Sequence, residues 1–130
     1  MDYANARAFA GGKYAMLFGR DEILLAGLGF GAAGAVGSTY NFAAPLYLSL
    51  MRAFAAGDLE TARREQGRAR EFIGVLQRHG GLVAGKAVMK LIGLDCGPAR
   101  LPLRTLRTTE EASLRIDLEA VGFFDYACRV

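Results

Sequence analysis

At 130 residues, 52% of them hydrophobic and 22% charged, the chain has enough apolar content for one domain with a buried core, which excludes a disordered segment. Its 16 basic and 13 acidic residues leave a net charge of +3 with no Lys/Arg block and little aromatic interleaving, so nucleic acid is not an expected partner, whereas an anionic substrate is compatible. Cys96 and Cys128 stand without CxxC or Cys/His spacing, which argues against zinc and for free thiols in a reducing cytosol.

The first residues, MDYANARAFAGGKYAMLFG, do not read as a signal peptide, because an acid sits second and no apolar core segment follows. Asp2 to Ala10 predicts a short helix ending at Gly11-Gly12. Tyr14 to Phe18 predicts a buried strand. Asp21 is placed to cap a helix from Glu22 to about Phe30, with Gly31 as its terminator. Ala35 to Ser38 predicts a second buried strand, and Pro45 fits the first turn of a helix that runs to Ala56. The order strand, helix, strand, helix points to an α/β fold with parallel strands. Ile23 to Met51 carries no charge and is long enough for a membrane span. Its five glycines from Gly27 to Gly37, Pro45 and the polar Ser38-Thr39-Tyr40-Asn41 cluster argue instead for buried soluble elements, so no membrane is expected.

The second half is helical in pattern. Asp58 is an N-cap for a long helix from Leu59 to about Arg78, whose apolar face comprises Leu59, Ala62, Ala69, Phe72, Ile73 and Leu76, with arginines and acids on the other face. Leu82 to Ile92 predicts another helix, followed by the connector GPARLPL. Thr108 with Glu111 reads as a capping box opening a helix to about Val121. Phe123 to Val130 reads as a last helical turn or a frayed tail.

Three patterns bear on function. Gly29-x-Gly31-x-x-Gly34 matches a dinucleotide fingerprint, but it follows a helix and leads into a strand, so it reads as a tight turn. Gly19-x-Asp21-Glu22 closes the first strand, where parallel α/β folds place ligands; its two acids suit a polyhydroxylated ligand, or they serve the next helix as cap and dipole partner. Ser38-Thr39-Tyr40-Asn41 closes the second strand, as a turn or as the far side of the same pocket. His79 at a helix end fits a dipole contact, and Lys13, Lys86 and Lys90 are read as exposed by default.

The segment LFGRDEILLAGLGFGAAGAVGSTYNF resembles the N-acetylneuraminate lyase branch of the dihydrodipicolinate synthase/N-acetylneuraminate lyase family, and the similarity continues through GDLETARREQ, GKAVMKLIG and GPARLPL. The resemblance implies a class I aldolase on a (β/α)8 TIM barrel, which holds pyruvate as a Schiff base on a lysine. Such an enzyme uses a tyrosine in proton transfer and cleaves N-acetylneuraminate, a sialic acid, to N-acetylmannosamine and pyruvate, without cofactor or metal. It also implies a cytoplasmic tetramer for the complete enzyme. By motif position, Gly19, Asp21, Glu22 and Ser38 would hold the sugar's hydroxyl chain. The expected architecture is the C-terminal part of the barrel, its last two strands and their helices over residues 1–57, followed by a helical extension over 58–130. The family's Schiff-base lysine belongs to a K-x-T-like element without a counterpart here. The chain is therefore expected to lack catalytic residues and to be inactive, and marginally stable, alone. The competing expectations are a related pyruvate-dependent aldolase and a non-catalytic helical interaction module.

Overall fold

The uncharged run from Ile23 to Met51 is divided among several elements in the computed structural model, which describes residues 2–129. Met1 and Val130, the outermost residues of the two expected parts and of the expected tail, lie outside the described residues. In chain order the elements are α1 (Asp2–Ala8), a 3-10 turn (Phe9–Gly12), β1 (Leu17–Phe18), a 3-10 turn (Asp21–Ile23), α2 (Leu24–Gly29), β2 (Gly34–Ala35), α3 (Tyr40–Ala55), α4 (Leu59–Arg78), α5 (Leu82–Leu91), α6 (Thr108–Ala120) and a final 3-10 turn (Phe123–Asp125). Among the described residues, no helix is long and apolar enough to cross a membrane.

The two strands pair in parallel, Leu17 with Gly34 and Phe18 with Ala35. Both are shorter than the sequence predicts. A strand persists where a neighbour satisfies its backbone groups, and among the described residues each strand has a single neighbour. Tyr14, expected in the first strand, instead stacks on Phe9 with 6.2 Å between ring centroids. The second strand stops at Ala35 rather than Ser38, because the chain turns through Gly37 into α3. On one side of the sheet, the Phe18 ring lies against Gly27 of α2. On the other side Leu17 and Val36 remain 53% and 61% exposed. Successive strand residues alternate between faces, so one face is covered by helix and the other is open.

The core lies among the helices. α3 packs along α4, and Phe72 of α4 sits fully buried at the centre. Its ring centroid is 6.3 Å from Phe42 of α3, 5.4 Å from Phe123 and 6.3 Å from Tyr126. These spacings are in the range of favourable offset and edge contacts. The 3-10 turn Phe123–Asp125 bears out the last helical turn expected here, and its Phe123 belongs to the core, with Tyr126 packed against it. The Cys128 N–H also donates to the Phe42 carbonyl at 2.8 Å.

The span Tyr40–Ala55 is broken at Ala43, and Pro45 lies in the first turn after the break, as the sequence predicts, although the span itself begins earlier, at Tyr40. The backbone bends at Ala43 (φ −131°, ψ 23°), two residues ahead of the proline. Proline lacks an N–H and crowds the preceding turn, which accounts for the bend. Asp58 caps α4 as the sequence predicts, accepting the Thr61 N–H at 2.9 Å. The α4 stripe is buried as predicted except at Leu59, which is 43% exposed. Glu65, assigned to the outer face, is buried instead, held by Arg64 at 3.5 Å and Arg68 at 3.3 Å. The cap of α6 is displaced by one residue from the predicted Thr108/Glu111 pair. Glu110 reaches back to the Arg107 N–H at 2.8 Å, while Glu111 pairs with Lys90 of α5 at 2.9 Å. Three carbonyls, of Cys96, Gly97 and Pro98, receive the Lys86 ammonium at 3.1, 3.4 and 3.2 Å, which ties the connector after α5 to that helix.

The burial of Phe123 makes the tail a test of the core. Phe123→Ala is expected to lower stability by about 3–5 kcal/mol in urea unfolding, the range for truncating a buried aromatic side chain. An unchanged midpoint would mean that the tail does not belong to the cooperative unit.

Candidate functional site

Parallel strands direct their carboxyl ends to one side, so the residues just past those ends share a rim. Here Gly19 to Glu22 follow β1, and Gly37 to Asn41 follow β2. One side chain joins the two turns. Asp21 Oδ2 accepts the Thr39 N–H at 3.2 Å and also the Thr39 hydroxyl. Thr39 Oγ1 in turn lies 2.7 Å from the Tyr47 hydroxyl. A carboxylate only accepts, so the Thr39 O–H is directed to Asp21 and the Tyr47 phenol donates to Thr39. Asp21 and Thr39 are 7% and 6% exposed, which makes this a buried relay.

The space that Asp21 occupies explains a glycine. A Cβ on Gly37 would overlap the Asp21 carboxylate. Residue 37 therefore has to be glycine for the first turn to lean on the second. Asp21 Oδ1 faces this position and has no hydrogen-bond partner among the described residues; the same holds for the buried Tyr40 hydroxyl. The Tyr40 ring sits edge-on to Tyr47, 4.3 Å between centroids.

Burial pushes the Tyr47 and Tyr40 hydroxyls well above the usual phenol range, with the charge of Asp21 adding to the shift in both. Tyr126, on the far side of Phe72, is pushed up to about 12, again mainly by burial. All three therefore hold their protons at neutral pH, and Tyr47 is available as the donor that the relay requires.

The four sequence-predicted site residues take different positions. Asp21 is turned inward. Glu22 is half exposed and pairs loosely with Arg20 at 3.5 Å. Gly19 and Ser38 are exposed on the two turns, and the Ser38 carbonyl accepts from the Asn41 side chain at 3.0 Å. Beside Ser38 a groove of about 490 Å³ opens between α3, α4 and α5, lined in part by Phe42, Ile73, Leu76 and Met89.

The expected capping role of Asp21 is overturned, since neither the 3-10 turn nor α2 has a side-chain cap from its own N-terminal residues. Gln66 of α4 supplies it instead. Its Oε1 accepts the Leu25 N–H at 2.8 Å, and its Nε2 donates to the Asp21 carbonyl at 3.1 Å. Sequence reasoning missed this residue. The available signal was its helical register: Gln66 falls between Ala62 and Ala69 on the apolar stripe of α4, where a polar side chain needs a partner.

The remaining candidates lie elsewhere. The glycine pattern forms the turn from α2 to β2, with Gly31 at φ +80°. His79 follows the last turn of α4, and its Nε2 meets Asp117 of α6 at 2.8 Å. Lys13 precedes β1, at the end of the strand opposite the rim, with its ammonium 5.1 Å from the Tyr14 ring centroid. Cys96 and Cys128 are free thiols.

Comparison with known proteins places this geometry in context. Residues 2–121 match the dihydrodipicolinate synthetase family. An N-acetylneuraminate lyase of Rhizobium meliloti is 43% identical over 97 residues, which is 75% of this chain and 32% of that protein. The solved N-acetylneuraminate lyase of Proteus mirabilis superimposes with a TM-score of 0.88 at 42% identity, over 94% of this chain and 41% of the other. That of Aliivibrio salmonicida, described as a sialic acid aldolase, gives 0.89 at 37% identity with the same coverage. The chain thus spans 32% of the curated relative's length and 41% of each solved chain.

Two outcomes follow from the buried relay. Gly37→Ala is expected to destabilise the fold by about 1–3 kcal/mol, the usual range for overpacking, and to shift the Thr39 amide resonance. A variant as stable as the parent with that resonance unmoved contradicts the packing of Asp21 on Gly37. The tyrosines give the second. A phenol whose value is raised on folding supports the fold fully below its unfolded value of 10.0, and that support is lost as pH rises through the folded value, about 12 for Tyr126. Helical circular dichroism should therefore fall above pH 10 together with the appearance of phenolate absorbance from the buried tyrosines. Ionisation of Tyr40, Tyr47 and Tyr126 with a midpoint near 10 and helix intact would contradict their burial.

Proposed function

Because the chain belongs to the dihydrodipicolinate synthetase family, we propose that it carries the sugar-recognition side of an N-acetylneuraminate lyase-like class I aldolase. On this reading the turns of Gly19, Asp21, Glu22 and Ser38 take the hydroxyl chain of a sialic acid, with Asp21 fixing the rim from behind, and pyruvate is the other partner of the reaction. Residues 1–57 correspond to the last part of a (β/α)8 barrel and 58–130 to its helical extension. The observation that carries the reading is the Asp21–Thr39 bond, which holds two successive strand-end turns as one rim. Glu22, Gly19 and Ser38 border that rim with polar groups open to solvent. The exposed sheet face at Leu17 and Val36 also supports a place in a larger barrel, where parallel strands are covered on both faces.

The chemistry of such an aldolase needs an amine nucleophile. Lys86 and Lys90 are engaged, with three loop carbonyls and with Glu111, and Lys13 lies at the wrong end of β1. We assign the Schiff-base role to none of them, and these residues alone are expected not to turn over substrate. In that chemistry the contribution of this chain is binding and orientation. Acceptor oxygens on Glu22 and Ser38 match sugar hydroxyl donors, and the relay keeps the acidic turn fixed while they bind.

The reading is tested by titrating N-acetylneuraminate into the 15N-labelled chain. Shifts concentrated at Gly19 to Glu22 and Ser38 are expected, and shifts elsewhere, or none at millimolar sugar, overturn it. Incubation with pyruvate and borohydride should add no mass; a stoichiometric adduct on any lysine would mean that the chain has its own active site.

A further inference from the structure

The residue that makes the rim possible sits outside both turns. We infer that Gln66 is a positioning residue for the Gly19–Glu22 turn, acting by bridging the Asp21 carbonyl to the first turn of α2. This deepens the proposed function and rests on its assignment of that turn to the sugar.

An aspartate directly before a helix is a preferred cap, because its carboxylate can accept the free N–H groups of the first turn. Asp21 opens the 3-10 turn ahead of α2, whose own N-cap is Ile23, and its carboxylate bonds to Thr39, eighteen positions along the chain. The carboxylate cannot serve both, as its one bonded oxygen is directed at β2's turn and the other faces Gly37. The Leu25 N–H in the first turn of α2 is left for another acceptor, and Gln66 Oε1 provides it at 2.8 Å. The same amide donates its N–H to the Asp21 carbonyl at 3.1 Å, so one side chain holds both ends of the turn. Gln66 is 8% exposed and both of its polar atoms are used. It comes from the middle of α4, which is anchored in the aromatic core by Phe72. A neutral amide is suited to this task, since it donates and accepts at once. Glutamate would keep the acceptor and lose the donor, placing a charge against the Asp21 carbonyl.

Without that bridge the Asp21 main chain is no longer held, and its carboxylate shifts relative to Thr39. The geometry therefore predicts a coupling: a change on α4 is felt at Thr39, which Gln66 does not touch. The experiment compares the parent, Gln66→Ala and Gln66→Glu as 15N-labelled full chains. In Gln66→Ala both the Leu25 and the Thr39 amide resonances should move, and both amides should exchange faster with solvent. In Gln66→Glu the Leu25 amide should stay protected while Thr39 moves, which a merely structural filler would not produce. N-acetylneuraminate affinity should fall about three- to tenfold in both, the fold-change matching the loss of one hydrogen bond. If Thr39 is unmoved in the folded variants, the inference is overturned while the sugar assignment stands. If the parent itself does not bind the sugar, that assignment fails, and the Leu25 and Thr39 amides still decide the coupling. Should Gln66→Ala not fold, the Gln66→Glu comparison decides alone.

Discussion

A buried carboxylate needs hydrogen-bond donors, and the Asp21 carboxylate finds its own on a different turn rather than on the helix it precedes. Much else follows from that choice. Thr39 must present both its N–H and its hydroxyl, and Tyr47 must stay protonated to complete the relay. Residue 37 can carry no side chain, and the cap of α2 must come from a helix 41 residues away, through Gln66. Removing the charge from Asp21 in thought leaves each of these features without a reason.

The stability of the chain is lodged elsewhere, in the helices. Phe42, Phe72 and Phe123 bring together α3, α4 and the residues after α6, while the strands are two residues each and open on one face. The rim is therefore held from behind. α4 supplies both the central ring of the core and the amide that fixes the acidic turn, so the rigidity of the helical layer reaches the strand ends through one side chain. Sites built on such supported elements keep their geometry better than sites on free loops.

The position of the rim was legible in the sequence because two polar clusters close two successive apolar runs. The division of labour within it was not. Asp21 before a helix reads equally as a cap or as a ligand group, and spacing along the chain is the same for both. Gln66 is visible only as a polar interruption of an apolar stripe, with no hint of which neighbour it meets. Pro45 was assigned to a helix start and does lie in the first turn after the Ala43 break; the turn ahead of that break, held by the Thr39 carbonyl accepting the Ala43 N–H at 2.9 Å, had no such signal. Glu65 was placed outward by its charge, and the flanking arginines made its burial possible.

By itself, the sequence determined the order of elements, the capped start of α4, most of its buried stripe and the family resemblance. These depend on near neighbours: periodicity, caps, glycine and proline positions act over a few residues. Tertiary structure alone decided where Asp21 points, which residue caps α2, that Phe123 is core, and that one sheet face is open. Each of those is a contest between partners far apart in the chain, settled by which groups packing brings within reach.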